Sequence, residues 1–186
     1  MSTRRGPRRQ PCFSIAILAA FAEEEGRRVD AELHGARSCV DGHRVQRNRR
    51  GHPAHAGGRA AANTDSVTDW DGAARMVELG RREFGSLDVL VNNAGIAFSG
   101  PPWDLDAETF DRVVATHVQG SFYCARHALA SMRERGWGRI VNLVSRAGIT
   151  GMPSSLPYAV GKGGVFGLTN ALSRDVQGSG ITVNAV

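Results

Sequence analysis

From residue 60 onward the apolar positions follow two rhythms in turn. Over 69–84, Trp70, Ala73, Ala74, Val77 and Phe84 keep mostly helical spacing and predict a helix. "LDVLVNN" at 87–93 is a near-continuous apolar run of the buried parallel-strand type. A long helix is expected over 107–135. Asp106 is its N-cap candidate, and Leu105 is placed to staple over the first turn near Phe110. Its apolar stripe is Phe110, Val113, Val114, Val118, Phe122, Ala125 and Leu129, and Gly136 ends it. "RIVNLVS" at 139–145 reads as a second buried strand. A helix over 157–177 comes next, stopped by "GSG" at 178–180, and "ITVNAV" at 181–186 begins a third strand. Strands alternating with helices through short connections imply an α/β fold, a doubly wound parallel sheet with helices on both faces.

The first third has a different texture. "FSIAILAAFAEEEGRRV" allows one helix near 14–27. With the basic start before it and Ala-Phe-Ala after it, the same stretch also has the layout of a secretory signal; a helix of the folded domain is the preferred reading. Residues 35–59 are rich in Arg, His and Gly, with almost no aliphatic side chain beyond Val40 and Val45. No buried strand is expected there, and the composition suits a disordered basic segment. The expected division is an atypical, partly disordered segment over 1–59 and a partial catalytic domain over 60–186.

Charge sharpens that division. Residues 1–60 carry 12 arginines against 6 acids, while the remainder carries 11 basic residues against 12 acids. The overall charge of +5 therefore belongs to the N-terminal third. Clustered arginines attract phosphates, but no recognised nucleic-acid fold or interleaved aromatics accompany them, so no nucleic-acid partner is expected. No run approaches the roughly 18 apolar residues of a membrane span. Cys12, Cys39 and Cys124 are widely spaced and suggest neither disulfides nor a metal site.

Lys162 is the only lysine in the chain. Arginine is always charged and forked, whereas lysine is a compact charge able to tune a neighbour's pKa. It stands four residues after Tyr158, so on a helix the two share a face. An ammonium beside a phenol favours the phenolate, which makes the tyrosine usable as a general acid or base near neutral pH. Ser145 ends the strand entering this unit, and its hydroxyl could hold a carbonyl or alcohol oxygen.

The motifs "VNNAG" (91–95), "GRIVNLVS" leading into Ser145, "YAVGK" and "GITVNAV" occur in this order. Together they closely resemble the short-chain dehydrogenase/reductase family of Rossmann-type oxidoreductases, over about residues 60–186. The resemblance implies an NAD- or NADP-dependent enzyme, with a slight lean to NAD, interconverting a secondary alcohol and a ketone. It implies that Ser145 orients the substrate oxygen, Tyr158 exchanges the proton, and Lys162 binds the nicotinamide ribose and lowers the tyrosine pKa. It places Asn92, Asn93, Ala94 and Gly95 along the cofactor's ribose and nicotinamide, and Asp65, with Ser66 beside it, at the adenine. A cytoplasmic homo-oligomer, dimer or tetramer, acting on a small-molecule alcohol or ketone is expected, with no membrane and no metal.

Two departures stand out. His117 occupies the position where many members have an asparagine that holds a water linked to the lysine; a water-holding role and a satisfied core histidine both remain open. The family's opening strand and TGxxxGxG turn are not found, Asp30 and Glu32 are weak candidates for the acid that selects NAD, and the text expected after residue 186 is missing. The alternative expectation is a catalytically impaired fragment acting at most as a subunit-interaction module.

Overall fold

The computed structural model describes residues 16–20, 37–41 and 60–186, with side chains from residue 61 onward. Three strands come from the first third of that set, β1 (Ala16–Ala20), β2 (Arg37–Asp41) and β3 (Ala60–Asn63). After them come α1 (Trp70–Phe84), β4 (Val89–Asn92), α2 (Ala107–Val114), α3 (Gly120–Arg135), β5 (Gly138–Asn142), α4 (Ala147–Thr150), α5 (Leu156–Asp175) and β6 (Ile181–Ala185). The strands form one sheet in the order β3-β2-β1-β4-β5-β6, which is the doubly wound dinucleotide-fold order.

Local signals account for the second half. Asp69 caps α1 by accepting from the Gly72 amide at 3.0 Å, and Asp106 caps α2 by accepting from the Thr109 amide at 2.6 Å. Each carboxylate satisfies an amide that has no partner within its helix. Gly136, at φ +67°, ends α3 where a side chain would be strained. The expected long helix is present, but α2 and α3 join through a π-helical turn at Ala115–Gln119. One stripe residue departs from expectation: Phe122 is 40% exposed, and it packs instead on the rings of Trp70 and Tyr123 at the surface.

The first third corrects two expectations. Where a helix was expected near 14–27, Ala16–Ala20 is a strand. A short apolar run suits either state by periodicity, and here both backbone edges of the run are hydrogen-bonded, one to β2 and the other to β4. Where residues 35–59 were expected to form no strand, Arg37–Asp41 pairs with β1 on one side and β3 on the other. Ladder hydrogen bonds are made by the backbone, so two waiting edges can recruit a polar segment.

The sheet is also not wholly parallel. β2–β3, β4–β5 and β5–β6 pair parallel, whereas β1 is antiparallel to both its neighbours. Ala16 lies opposite Asn92 and Ala19 opposite Val89. The carboxyl end of β1 therefore points to the edge of the sheet away from the carboxyl ends of the other five strands.

The connections β3–β4, β4–β5 and β5–β6 all step the same way across the sheet. Right-handed crossovers then put α1, α2–α3 and α5 on one face. Leu90, Ile140 and Val183 point into that layer and meet Met76, Cys124, Ala125, Ala128 and Met132, most of them fully buried. Val89, Val91 and Val141, on the other face, are only half-buried, and helices covering that face are not among the described residues.

Candidate active site

The carboxyl ends of β4 and β5 carry the residues singled out by sequence. Behind them lies a buried polar ladder. The Asn92 amide donates to Ser121 O at 3.1 Å and to Asn142 Oδ1 at 2.8 Å, and the Asn142 amide donates to Thr169 Oγ1 at 2.9 Å. Buried amides need partners, and these ones lock β4, β5, α3 and α5 in register. Asn92 thus directs its side chain into the core rather than towards a ligand. Asn93 is exposed at the mouth, and Ala94 and Gly95 are half-buried there.

Helix α5 begins at Leu156 with Pro157 in its first turn, a position that needs no backbone donor. Tyr158 and Lys162 stand one turn apart on it. Lys162 is buried at 6% exposure, and its Nζ lies 5.8 Å from the centre of the Tyr158 ring. The ammonium donates to Leu143 O at 2.5 Å. Burial holds the Lys162 pKa below its ordinary value.

Ser145 lies between β5 and α4, half-buried, and its Oγ accepts from the Ala147 amide at 3.2 Å. The short α4 packs directly on α5. A Cβ on Gly148 would lie 2.6 Å from the Gly163 nitrogen, so only glycine permits that approach. The glycine contact carries Ser145 to the start of α5. The neighbouring loops are tied to each other, with the Gly100 amide donating to Ser154 O at 2.9 Å and Ser155 Oγ donating to Phe98 O at 2.8 Å.

His117 sits beneath this surface at 2% exposure. It is bonded to Ile96 O through Nε2 at 2.9 Å and stands edge-on to Tyr158 with centroids 5.3 Å apart. Burial pushes its pKa down, and the Lys162 charge adds to that effect, while the Ile96 carbonyl opposes it.

Asp65 and Ser66 come just after β3, at the same edge of the sheet but three strands away. At about 4.8 Å per strand that is roughly 14 Å, the scale of a crevice that a dinucleotide spans. The Asp65 carboxylate is already held: Arg75 Nη2 donates to Oδ1 at 2.7 Å and Asn63 Nδ2 donates to Oδ2 at 3.0 Å. The Arg75 hydrogen bond, foremost, keeps its pKa below the ordinary value. Ser66 Oγ pairs with Thr68 Oγ1 at 2.8 Å. Asp30 and Glu32 lie outside the described residues.

Tyr158, Lys162, His117 and Gly95 are thus brought together, with Ser145 on the adjoining loop and Asp65 and Ser66 at a separate station. Sequence reading missed Arg75, the Leu143 and Ile96 carbonyls, and the Asn142–Thr169 pair. Only the Arg75 contact had a local signal, an arginine on the first turns of a helix that comes after an acid. Among the described residues no cluster of side chains could hold a metal ion, and no helix is long and apolar enough to cross a membrane.

A dinucleotide fits one end of this surface better than its middle. The Lys162 ammonium has three N–H donors, one of which goes to Leu143, so two remain to meet a ribose diol. Pyrophosphate in this fold order lies at a helix N-terminus beyond the carboxyl end of β1. Here that end of β1 is on the far edge.

The short chain dehydrogenase family model matches residues 35–186. A 3-oxoacyl acyl-carrier-protein reductase of Staphylococcus aureus is 40% identical over 174 residues, covering 94% of this chain and 63% of that protein. A 2-(S)-hydroxypropyl-CoM dehydrogenase of Xanthobacter autotrophicus is 47% identical over 102 residues, 55% of this chain and 40% of that protein. Among solved structures, an NAD+-bound xylitol dehydrogenase superposes with a TM-score of 0.67 at 33% identity, covering 69% of this chain and 50% of the other. The chain spans about half the length of curated relatives it matches.

Proposed function

The chain belongs to the short-chain dehydrogenase family, and from that premise we propose that its protein is an NAD(P)-dependent oxidoreductase interconverting a secondary alcohol and a ketone. The observation that carries the proposal is the buried Lys162 ammonium 5.8 Å from the Tyr158 ring, at the carboxyl ends of β4 and β5. The nicotinamide, when bound, supplies the hydride acceptor or donor. Tyr158 takes the alcohol proton in oxidation and returns one to the developing alkoxide in reduction. Lys162 would donate to the ribose hydroxyls of the bound nicotinamide half. Ser145 Oγ donates to the substrate oxygen, orienting it towards Tyr158. Asp65 reaches the adenine only by sharing its carboxylate with Arg75 or releasing it.

For the cofactor we propose NAD, the form bound in the related xylitol dehydrogenase structure. The test is hydride transfer monitored by the near-ultraviolet absorbance of reduced nicotinamide, across short secondary alcohols and ketones, with NAD and NADP compared. A folded form that binds nicotinamide yet turns over none of them would sink the reading.

A second reading has its own observation. The reversed β1 sets its carboxyl end at the edge away from the pyrophosphate position, which favours a catalytically impaired fragment that acts through subunit contacts. Either way we propose a cytoplasmic homo-oligomer joined through α2–α3 and α5, whose outer faces expose Phe122 at 40% and Val160 at 42%. Sedimentation at tens of micromolar (an order-of-magnitude choice for modest interfaces) should show a dimer or larger species. A monodisperse monomer counts against that interface.

A further inference from the structure

We infer that His117 is a positioning residue for Tyr158, a wedge whose ring holds the tyrosine and the Gly95–Ile96 backbone in one geometry. The inference rests on the reading that Tyr158 moves the proton, and it chooses a role for His117 that differs from holding a water.

The wedge begins with the helix. At Ala115–Gln119 the Gly120 amide bonds to Ala115 O, five residues back, so one extra residue is fitted into the turn. Such π-turns re-aim the side chains they contain. Thr116 Oγ1 donates to Arg112 O at 2.8 Å and so supports the widened turn. His117 is thereby directed into the gap between the loop after β4 and the first turns of α5.

Both walls of that gap are glycine. A Cβ on Gly95 would lie 2.5 Å from His117 Cε1, and one on Gly161 would lie 3.0 Å from His117 Cβ and Cδ2. The first distance would force a shift, and the second would make the ring give by a few tenths of an ångström. The third side of the ring is Tyr158, at an interplanar angle of 82°. Aromatic pairs favour this edge-to-face arrangement.

The hydrogen bond leaves His117 only an acceptor to offer a water. A carbonyl oxygen only accepts, so the nitrogen facing Ile96 O must carry the proton. Nε2 is then a donor already engaged with protein, and neutral Nδ1 has no proton to give. A donor to a relayed water is therefore lacking, while a ring fixed on three sides remains. The depressed pKa of His117 agrees with a neutral ring.

The test has one arm that needs no activity and one that does. Gly95→Ala should lower the unfolding midpoint of the full chain by about 4 °C or more, as overpacking does. In the His117→Asn background, which lacks Cε1, most of that loss should disappear. An equal loss in both backgrounds would overturn the wedge. The second readout is the ring of Tyr158 by 13C-tyrosine NMR, resolved from Tyr123 with a Tyr123→Phe variant. His117→Phe should keep the Tyr158 signals near their original positions, and His117→Asn should move them.

Turnover then tracks the ring. His117→Asn should lower kcat about tenfold with little change in KM, since small misplacements of a reacting group are costly. His117→Phe should recover most of it. Full activity with Asn and none with Phe would reverse the assignment in favour of a held water. If Tyr158→Phe itself leaves turnover intact, the enzymatic reading fails, and the unfolding and NMR arms still judge the wedge.

Discussion

Titrated with NADH or NADPH at physiological salt, the 186-residue chain should show no saturable binding in the low-micromolar range. The reason is the direction of one strand. Most of the family's hold on the charged middle of the cofactor comes from backbone amides and a helix dipole at the carboxyl end of β1. In this protein Ala16, the first residue of β1, lies opposite Asn92, and the last lies beyond Val89. A turn placed after Ala20 would therefore leave the sheet at the wrong edge, whatever its sequence. Asp65, the 93–95 loop, Tyr158 and Lys162 can then reach only the adenine and nicotinamide ends. Charge-assisted hydrogen bonds are worth about 1.5–3 kcal/mol each, so losing two of them weakens binding by roughly 10²- to 10⁴-fold. Loose attraction by the N-terminal arginines would be screened by salt. Calorimetry or nicotinamide fluorescence reads the result directly. Tight, salt-resistant binding would mean that some other part of the chain builds a phosphate site.

Tyr158→Phe should reduce turnover by about 10² or more in any form of the protein that transfers hydride. Phenylalanine keeps the edge-to-face contact with His117 and removes only the transferable proton, so the fold should survive. Lys162→Ala should behave differently. It should lower turnover and weaken cofactor binding together, because one ammonium serves both. It should also lower stability, since Leu143 O loses its donor at a partly buried position, an effect of about 1–3 kcal/mol at most. Steady-state kinetics with circular dichroism on each variant separate these effects. A Tyr158→Phe protein with unchanged kcat would remove Tyr158 from the chemistry.

The legible part of the fold was the part written in short-range terms. Asp106 and Gly136 act on amides and carbonyls within a few residues, and the apolar spacing of α1 is itself local, so α1, α2 and the end of α3 could be read in advance. The π-turn at Ala115–Gln119 escaped, because one added residue barely disturbs an apolar stripe that continues on both sides. Asn92 was legible as part of a motif but not in its role. Its amide points to Asn142, fifty residues on, and no local pattern encodes that partner.

By itself the sequence determined that a lone lysine stands one helical turn after Tyr158, and that strands and helices alternate from residue 60 to the end. Both come from spacing alone, because helical periodicity fixes which neighbours share a face. Tertiary structure decided the rest. "AILAA" became a strand rather than a helix, and an antiparallel one, because the gap between β2 and β4 offered two unpaired backbone edges to a run that suits either state. Arg37–Asp41 became β2 for the same reason, despite its polar composition. His117 became a buried wedge because two glycines, 22 residues before it and 44 after it, let the backbone close on its ring. Contacts between segments far apart in the chain carry these outcomes, and their energies belong to the packed layers rather than to any short stretch of sequence.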